Sequence, residues 1–431
     1  MTYSSAIEYL YGLQKHGIKL GLETMRTLLG RLGNPERRFR SLHIGGTNGK
    51  GSTAAMTAAM LQAAGYRVGL YTSPHLVDFR ERIRVNQTMI AEAQVAEFTE
   101  RLQASVPSDL TPTFFELTTA MAFLHFAESG VEVAVLEVGL GGRFDATNVV
   151  EPEACAITTI ALDHQEYLGT TEDAIGFEKA GIIKAGVPVV VGRIDGPPWD
   201  VIRQTAVDRG APLARLGEDF QTIGNGPEAF SYHSRSRHLD GLTCALTGRH
   251  QLDNAACAVA LLDAAEGRGI SVPDGAVRRG LESVLWEGRL EVVERGPVLL
   301  LDGAHNPAAA HVLAEYLTEW CASRPESRVI LVLGMMRDKD HARFVEPFCR
   351  LVSEAVLTQA DMPRSASVQE LREAIGSRFS LCHVVPGAAD ALALAKARAT
   401  AQDLICVTGS LMLVGEVKAL VRGCGLSPLR G

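Results

Sequence analysis

The run His43-Ile44-Gly45-Gly46-Thr47-Asn48-Gly49-Lys50-Gly51-Ser52-Thr53 gathers glycines, hydroxyls and one lysine between an apolar segment and an alanine-rich one, Thr53–Ala64. That combination suits a phosphate group. Glycines let backbone N–H groups approach phosphate oxygens, a helix N-terminus adds positive potential, Lys50 supplies a mobile charge, and a hydroxyl from Ser52 or Thr53 can reach a metal ion. The spacing departs from G-x-x-x-x-G-K-[ST], because Gly51 separates Lys50 from Ser52 and the leading glycine lies one residue close. A glycine-rich turn at a strand–helix junction is therefore the competing reading.

Further along, Val133–Arg143 places Glu137 at the end of an apolar run, just ahead of the glycine turn Gly139-Leu140-Gly141-Gly142. A strand-end carboxylate can join ATP phosphates and waters around Mg²⁺, a hard cation that takes oxygen ligands; a solvated glutamate is the plainer alternative. Asp163-His164 and Phe177-Glu178-Lys179-Ala180-Gly181-Ile182-Ile183-Lys184, taken bare, read as a loop histidine and a helix-surface charge pair. Trp286–Glu291 and Leu301-Asp302-Gly303-Ala304-His305-Asn306-Pro307 are the other dense stretches, the second an Asp-Gly turn after an apolar strand with a helix N-cap.

The elements that must position these groups alternate short β-branched runs with longer helical patterns, the signature of parallel sheets built from βαβ units. Strands are predicted at Ser41–Gly45, Arg67–Tyr71, Val131–Val138, Cys155–Ile160 and Val187–Gly192, with ligands expected at their carboxyl ends. Residues 220–246 break the rhythm as a small antiparallel excursion, and a helix over Asn254–Ala265 restores it. A second series follows at Pro297–Leu301, Val329–Leu333, Ala355–Thr358, Cys382–Val385 and Leu404–Thr408, with Trp286–Glu294 as the candidate hinge. The expected class is α/β: an N-terminal P-loop ATPase domain, residues 1–288, with a mostly parallel sheet plus a small antiparallel portion, and a smaller C-terminal Rossmann-like α/β domain, residues 289–431.

At 431 residues the chain can build two or three cores. A net charge of −8 offers no basic face for nucleic acid. The eight cysteines show no C-x-x-C pair and no zinc spacing, which fits reduced thiols. Neither a leader-like N-terminus nor an apolar run long enough to cross a bilayer is visible, so a cytoplasmic location and no membrane partner are expected.

Gly46–Ser52, GTNGKGS, resembles the ATP loop of the folylpolyglutamate synthase and dihydrofolate synthase family, a branch of the Mur ligase superfamily and in its bacterial form often bifunctional. Five other stretches resemble the same family in order: D-H-x-x-x-L-G at Asp163, E-K-A-G-I-I-K at Glu178, G-x-H-Q-x-x-N at Gly248, W-x-G-R-x-E at Trp286 and D-G-A-H-N-P at Asp302. The resemblance spans essentially the whole chain. It implies ATP and two Mg²⁺ ions as cofactors, with room for a monovalent cation. Metal ligands would be Ser52, Ser73, Glu137, His164 and a carbamylated Lys179. Gly46, Thr47, Asn48, Gly49, Lys50, Gly51, Ser52, Gln251, Asn254, Arg289 and Asp302 would hold nucleotide, Arg289 at phosphate, Asp302 at ribose, and Gln251 and Asn254 near adenine. Lys50, Lys179 and His305 would carry the chemistry, with His305 near glutamate.

TSPHL-x-x-F-R-E-R-I, from Thr72 to Ile83, resembles the family's segment near the folate and metal sites and assigns Arg82 to anionic substrate. Thr113, Phe115, Asp145 and Ala146 fall where the bifunctional members bind dihydropteroate; an aromatic ring can stack on a flat pterin and Asp145 can accept its N–H donors. Ser410, in Thr408-Gly409-Ser410, joins the substrate set together with His305. The implied partners are dihydropteroate, reduced folates and L-glutamate, for a monomer acting by an acyl phosphate under domain closure. A Mur-type peptidoglycan amino-acid ligase, and a non-catalytic ATP-dependent switch, are the alternatives.

Overall fold

The computed structural model describes residues 1–17, 19 and 21–427. The chain separates into two compact units. One comprises Met1–Ser73, Arg80–Ala245 and Gln251–Leu285; the other comprises Pro74–Phe79, Leu246–His250 and the chain from Trp286 onward.

The first unit is built on an eight-stranded sheet. Its strands are β1 (Arg40–Gly45), β2 (Val68–Tyr71), β3 (Ile83–Val85), β4 (Thr88–Met89), β5 (Val133–Glu137), β6 (Ala154–Ile157), β7 (Val189–Val191) and β8 (Leu213–Arg215). They lie in the order β4-β3-β2-β5-β1-β6-β7-β8. Only the β2–β3 and β3–β4 pairings are antiparallel. The central strands are buried on both faces, which is why they read as continuous apolar runs. From β1 the chain proceeds to β2 on one side, whereas β5 proceeds to β6 on the other, so the order reverses around β1 and β5. Ligands gather outside the carboxyl ends of strands at such a reversal, and both the glycine-rich loop and Glu137 emerge there.

Residues 220–242 form the three-stranded antiparallel sheet anticipated from their alternation: β9 (Phe220–Gly226), β10 (Ala229–Ser234) and β11 (His238–Leu242). Phe220, Phe230, Tyr232, Leu239 and Leu242 fill its buried side.

The second unit holds a six-stranded sheet of β12 (Glu291–Arg295), β13 (Val298–Leu301), β14 (Val329–Leu333), β15 (Glu354–Leu357), β16 (Cys382–Val384) and β17 (Leu404–Thr408). The order is β12-β13-β17-β14-β15-β16. All pairings are parallel except β12 with β13. Glu291–Arg295 is thus an edge strand, and only the first part of the segment read as a hinge lacks regular structure. Alternation along β14 serves two cores: Leu331 and Leu333 meet Leu313, Leu317 and Phe344 on one face, and Ile330 and Val332 meet Ala391, Leu413 and Val417 on the other.

In the first unit, helix Asp274–Ser283 crosses helix Lys50–Ala63 at Gly280, where an added Cβ would lie 2.5 Å from Met60 Cα and 2.6 Å from its nitrogen. Backbone cannot yield as a side-chain tip can. Gly280→Ala is expected to destabilise this unit by about 1–3 kcal/mol in denaturant unfolding; an unchanged midpoint would show that the two helices can separate freely.

Candidate active site

Helix Lys50–Ala63 begins earlier than its apolar pattern suggests, because Gly49 at φ +84° closes the loop and places Lys50, Gly51 and Ser52 in the first turn. Their N–H groups have no intrahelical acceptor, since the first such bond is Thr53 N to Gly49 O at 2.9 Å; this is the anion-binding end of a helix. The loop is gripped from both sides. Thr47 N donates to Thr159 O at 2.7 Å and Asn48 N to Thr159 Oγ1 at 2.9 Å, while Thr158 Oγ1 donates to Asn48 O at 2.6 Å. A Cβ on Gly46, at φ +139°, would strike Thr158 Oγ1, and one on Gly49 would strike Asn254 Oδ1. Asn254 Nδ2 in turn donates to Gln251 Oε1 at 2.9 Å. Both lie near the start of helix His250–Glu266, which also begins earlier than expected. Lys50 Nζ rests on Thr47 O at 3.1 Å, half-buried and within a swing of the helix end.

Glu137 ends β5 beside the loop, in register with Ile44, and is only 5% exposed. Ser73 N donates to its Oε2 at 3.1 Å. Lys179, in the last turn of helix Glu172–Ala180, is equally enclosed and donates from Nζ to Gly46 O at 2.8 Å. Burial first, and the charge of Lys50 second, pull its amine down to about 7. His164 starts the short helix Gln165–Leu168 with left-handed backbone, its ring facing Asp163 at 3.9 Å. Ser52 is buried, and Thr53 Oγ1 is enclosed with no hydrogen-bond partner among the described residues. The donor set is therefore oxygen-rich, as Mg²⁺ requires. Among the described residues no group of three His, Cys, Asp or Glu side chains is disposed to hold a metal.

The loop that follows Glu137 carries the remaining candidates of this unit. Gly139 is crossed by the half-buried Phe115 ring, whose Cε2 would be 2.8 Å from a Cβ there. Tyr71 flanks the same ring at 6.0 Å between centroids. Thr113 and Glu116 form a capping box at the start of helix Phe114–Glu128, so the Thr113 hydroxyl is engaged in shaping that helix end. Arg82 is only 2% exposed, with its guanidinium 5.2 Å from the centre of the Phe114 ring, which removes it from the solvated charges of a basic loop. Asp145 is buried, accepting from Leu140 N at 2.9 Å and Thr147 N at 3.0 Å. Burial raises its carboxyl above the ordinary range, and hydrogen bonds led by that of Thr147 oppose the rise. Ala146, next in line, is buried at the start of the 3-10 turn Ala146–Val149.

In the second unit Asp302 joins two turns. Its Oδ2 accepts from Leu290 N and its Oδ1 from Ala304 N, each at 2.9 Å. Arg289 donates to Gly288 O at 2.9 Å, and Gly303 is pressed against its guanidinium. His305 Nδ1 lies 2.8 Å from Gly303 O; a carbonyl only accepts, so Nδ1 donates this bond. Ser410 caps helix Leu411–Arg422, its Oγ accepting from Met412 N at 3.0 Å.

Comparison with known proteins fits this geometry. The Mur ligase middle domain matches residues 44–262, and the Mur ligase glutamate ligase domain matches residues 288–411. Dihydrofolate synthase/folylpolyglutamate synthase of Bacillus subtilis is 36% identical over 97% of this chain and 98% of its own length. FolC of Escherichia coli, solved in complex with DHPP and ADP, aligns at TM-score 0.90 and 34% identity over 98% of each chain. The bifunctional folylpolyglutamate synthase/dihydrofolate synthase of Yersinia pestis, complexed with AMPPNP and Mn, aligns at 0.88 and 34% over 98% of each. The chain belongs to the dihydrofolate synthase/folylpolyglutamate synthase family of Mur ligases.

Within this Mur ligase family member, several structural partners escaped sequence reading. Thr158 and Thr159, at the end of β6, hold the phosphate loop; a hydroxyl pair closing an apolar strand was the available signal. Lys418, 1% exposed, lies 2.5 Å from both oxygens of Glu291 and 3.2 Å from Glu287, pinning the Trp286–Glu291 turn. Nothing in a helical run advertises such a lysine.

Gly46→Ala would drive a methyl group into Thr158 and force a residue with a side chain to φ +139°. The loop would have to reshape, so nucleotide affinity measured by calorimetry is expected to fall at least about tenfold, the loss of roughly one charged hydrogen bond; unchanged affinity would show that the loop is not the phosphate cradle.

Proposed function

We propose that this protein ligates L-glutamate to dihydropteroate, and further glutamate to reduced folates, with cleavage of ATP to ADP and phosphate. One observation carries the reading: a single loop runs from the Glu137 carboxylate, beside the phosphate cradle, past Gly139 under the Phe115 ring, to the enclosed acceptor Asp145. The residues read as metal and phosphate ligands and those read as pterin contacts thus lie on contiguous chain.

An unactivated carboxylate resists an amine because oxide would have to leave. In the proposed route a substrate carboxylate oxygen attacks the γ-phosphorus, ADP departs, and the amine of glutamate then attacks the acyl carbon, losing a proton as inorganic phosphate leaves. The N–H groups of Lys50, Gly51 and Ser52 and the Lys50 ammonium hold the phosphates and offset charge on the transferring oxygens. Gln251 and Asn254 belong to the adenine side, Arg289 to phosphate and Asp302 to ribose. Arg82, Thr113, Phe115, Asp145 and Ala146 hold the pterin-bearing substrate, while His305 and Ser410 serve the glutamate side. We assign residues 1–288 to the ATP-binding P-loop domain and 289–431 to the C-terminal glutamate-ligase domain. Magnesium, when bound, supplies neutralising charge at the phosphate oxygens.

Ser52, Ser73, Glu137 and His164 would hold that metal, with Lys179 completing the set as its carbamate. Lys179 is enclosed, bonded to a neutral carbonyl, and depressed enough to offer a neutral amine to CO₂. The product is an anionic oxygen ligand, the type that Mg²⁺ takes.

The deciding assay incubates the protein with ATP, Mg²⁺, glutamate and 7,8-dihydropteroate and seeks dihydrofolate with released phosphate by mass spectrometry. Its formation is expected; turnover of reduced folate alone would restrict the enzyme to polyglutamate extension, and failure of both acceptors would overturn the folate reading. Lys179→Ala is expected to lower turnover on the order of a hundredfold or more. A bare Lys179 amine in a crystal of the active, Mg²⁺-loaded enzyme would refute the carbamate.

A further inference from the structure

His43 has no part in the chemistry above, yet it is fully buried in β1, immediately before the phosphate loop. Its Nε2 lies 2.8 Å from Thr147 Oγ1. The Thr147 hydroxyl makes a short hydrogen bond to Asp145 Oδ1, the same oxygen that receives Thr147 N. The protons in this chain can be assigned by elimination. An ionised Asp145 only accepts, so the Thr147 hydroxyl proton points to Oδ1, and Thr147 Oγ1 must then accept from His43 Nε2–H. That leaves His43 Nδ1 bare, and Nδ1 is the buried ring nitrogen with no partner. The opposite tautomer would bury an unsatisfied N–H, the rarer and costlier fault.

We infer that His43 is a positioning residue for Asp145, acting through the Thr147 hydroxyl to fix which carboxylate lone pairs remain for the pterin. The inference rests on the reading of Asp145 as a pterin acceptor. Donation from His43 makes the Thr147 hydroxyl a better donor and prevents its rotation, since hydrogen bonds in series polarise one another. Oδ1 is then saturated by Thr147, so a ligand contact falls to Oδ2, which already receives Leu140 N at 2.9 Å, with the Gly139 N–H also interacting with this carboxylate. The imidazole stays neutral throughout, because burial and the nearby Lys184 charge hold it at about 3. A core histidine serving packing alone would give the same burial, but its loss would not single out one substrate.

The test compares Asp145→Asn, Thr147→Val, Thr147→Ser, His43→Leu and His43→Gln in the full-length enzyme, reading KM for 7,8-dihydropteroate and for ATP separately and the melting temperature alongside. Thr147→Val keeps the shape and deletes the relay, so the dihydropteroate KM should rise about tenfold with the ATP KM unchanged. Thr147→Ser and His43→Gln, which retain a hydroxyl and an N–H donor, should restore it. His43→Leu should match Thr147→Val, and their combination should add nothing. If Asp145→Asn raises that KM while Thr147→Val does not, the relay is wrong and the pterin reading stands. Should Asp145→Asn have no effect, both fall together. Should Thr147→Val raise both KM values equally, the role of the chain is structural. Thr147→Val decides the question even if His43→Leu fails to fold.

Discussion

The phosphate loop is held by a buried lysine amine bonded to a peptide carbonyl. Lys179 Nζ holds Gly46 O at 2.8 Å, and no acid forms an ion pair with it among the described residues. Had the fold required only a clamp on that carbonyl, a hydroxyl or amide would have served without the desolvation of an ammonium group. Burial and the charge of Lys50 disfavour a protonated amine there. On the other side, Thr158 and Thr159 fasten Thr47 and Asn48 through backbone and hydroxyl. The loop therefore has its shape before any phosphate arrives, and the helix N-terminus behind it already points three unsatisfied N–H groups outward. Preorganisation of this kind spares the reorganisation that would otherwise accompany binding of a highly charged ligand.

Acids near the chemistry share a second use in both units. Asp145 shapes the loop of Leu140 and Thr147, and Asp302 shapes the turns of Leu290 and Ala304, each by accepting backbone N–H groups. An aspartate held by peptide donors is fixed in orientation as no solvated carboxylate can be. The same residue can then define a turn and face a ligand. Thr113 and Ser410, both helix caps, repeat the pattern with hydroxyls.

This sharing also explains what the sequence disclosed. Strand–glycine–helix at Gly45–Lys50 and strand–Asp-Gly at Leu301–Gly303 are local patterns, set by residues adjacent in the chain, and the parallel sheets follow from periodicity alone. Partnerships between distant segments left no such trace. Thr158 meets Asn48 and Lys179 meets Gly46 only because β6 and helix Glu172–Ala180 return to the end of β1. Pro74–Phe79 reads as a loop between two strands of the first sheet, but Leu76 and Val77 pack into the core of the second unit. Arg82 reads as a solvated charge because Arg80 and Arg84 flank it in Phe79–Arg84, whereas it packs against Phe114, far along the chain. Periodicity also started two helices late, at Lys50 and His250, because first-turn glycines and polar residues chosen for the site lack an apolar signature.

The turn at Gly288–Leu290 shows how such distant pairs act on one side chain. Leu290 sits at φ +44°, a conformation that a branched residue adopts only under external constraint. The constraint is electrostatic and comes from two directions: Asp302 takes the Leu290 N–H, and Glu291 takes the Gly288 N–H while its carboxylate is neutralised by the buried Lys418. Arg289 lies between these anchors, so the backbone, rather than contacts of its own guanidinium, sets where its side chain begins. The strain of about 1–3 kcal/mol typical of such a residue is offset by hydrogen bonds to two carboxylates. Loss of Lys418 would leave Glu291 as an uncompensated charge, weakening its hold on Gly288 N, and Leu290 would then relax toward negative φ. A lysine remote in sequence from Arg289 thus helps to hold the turn from which that arginine extends.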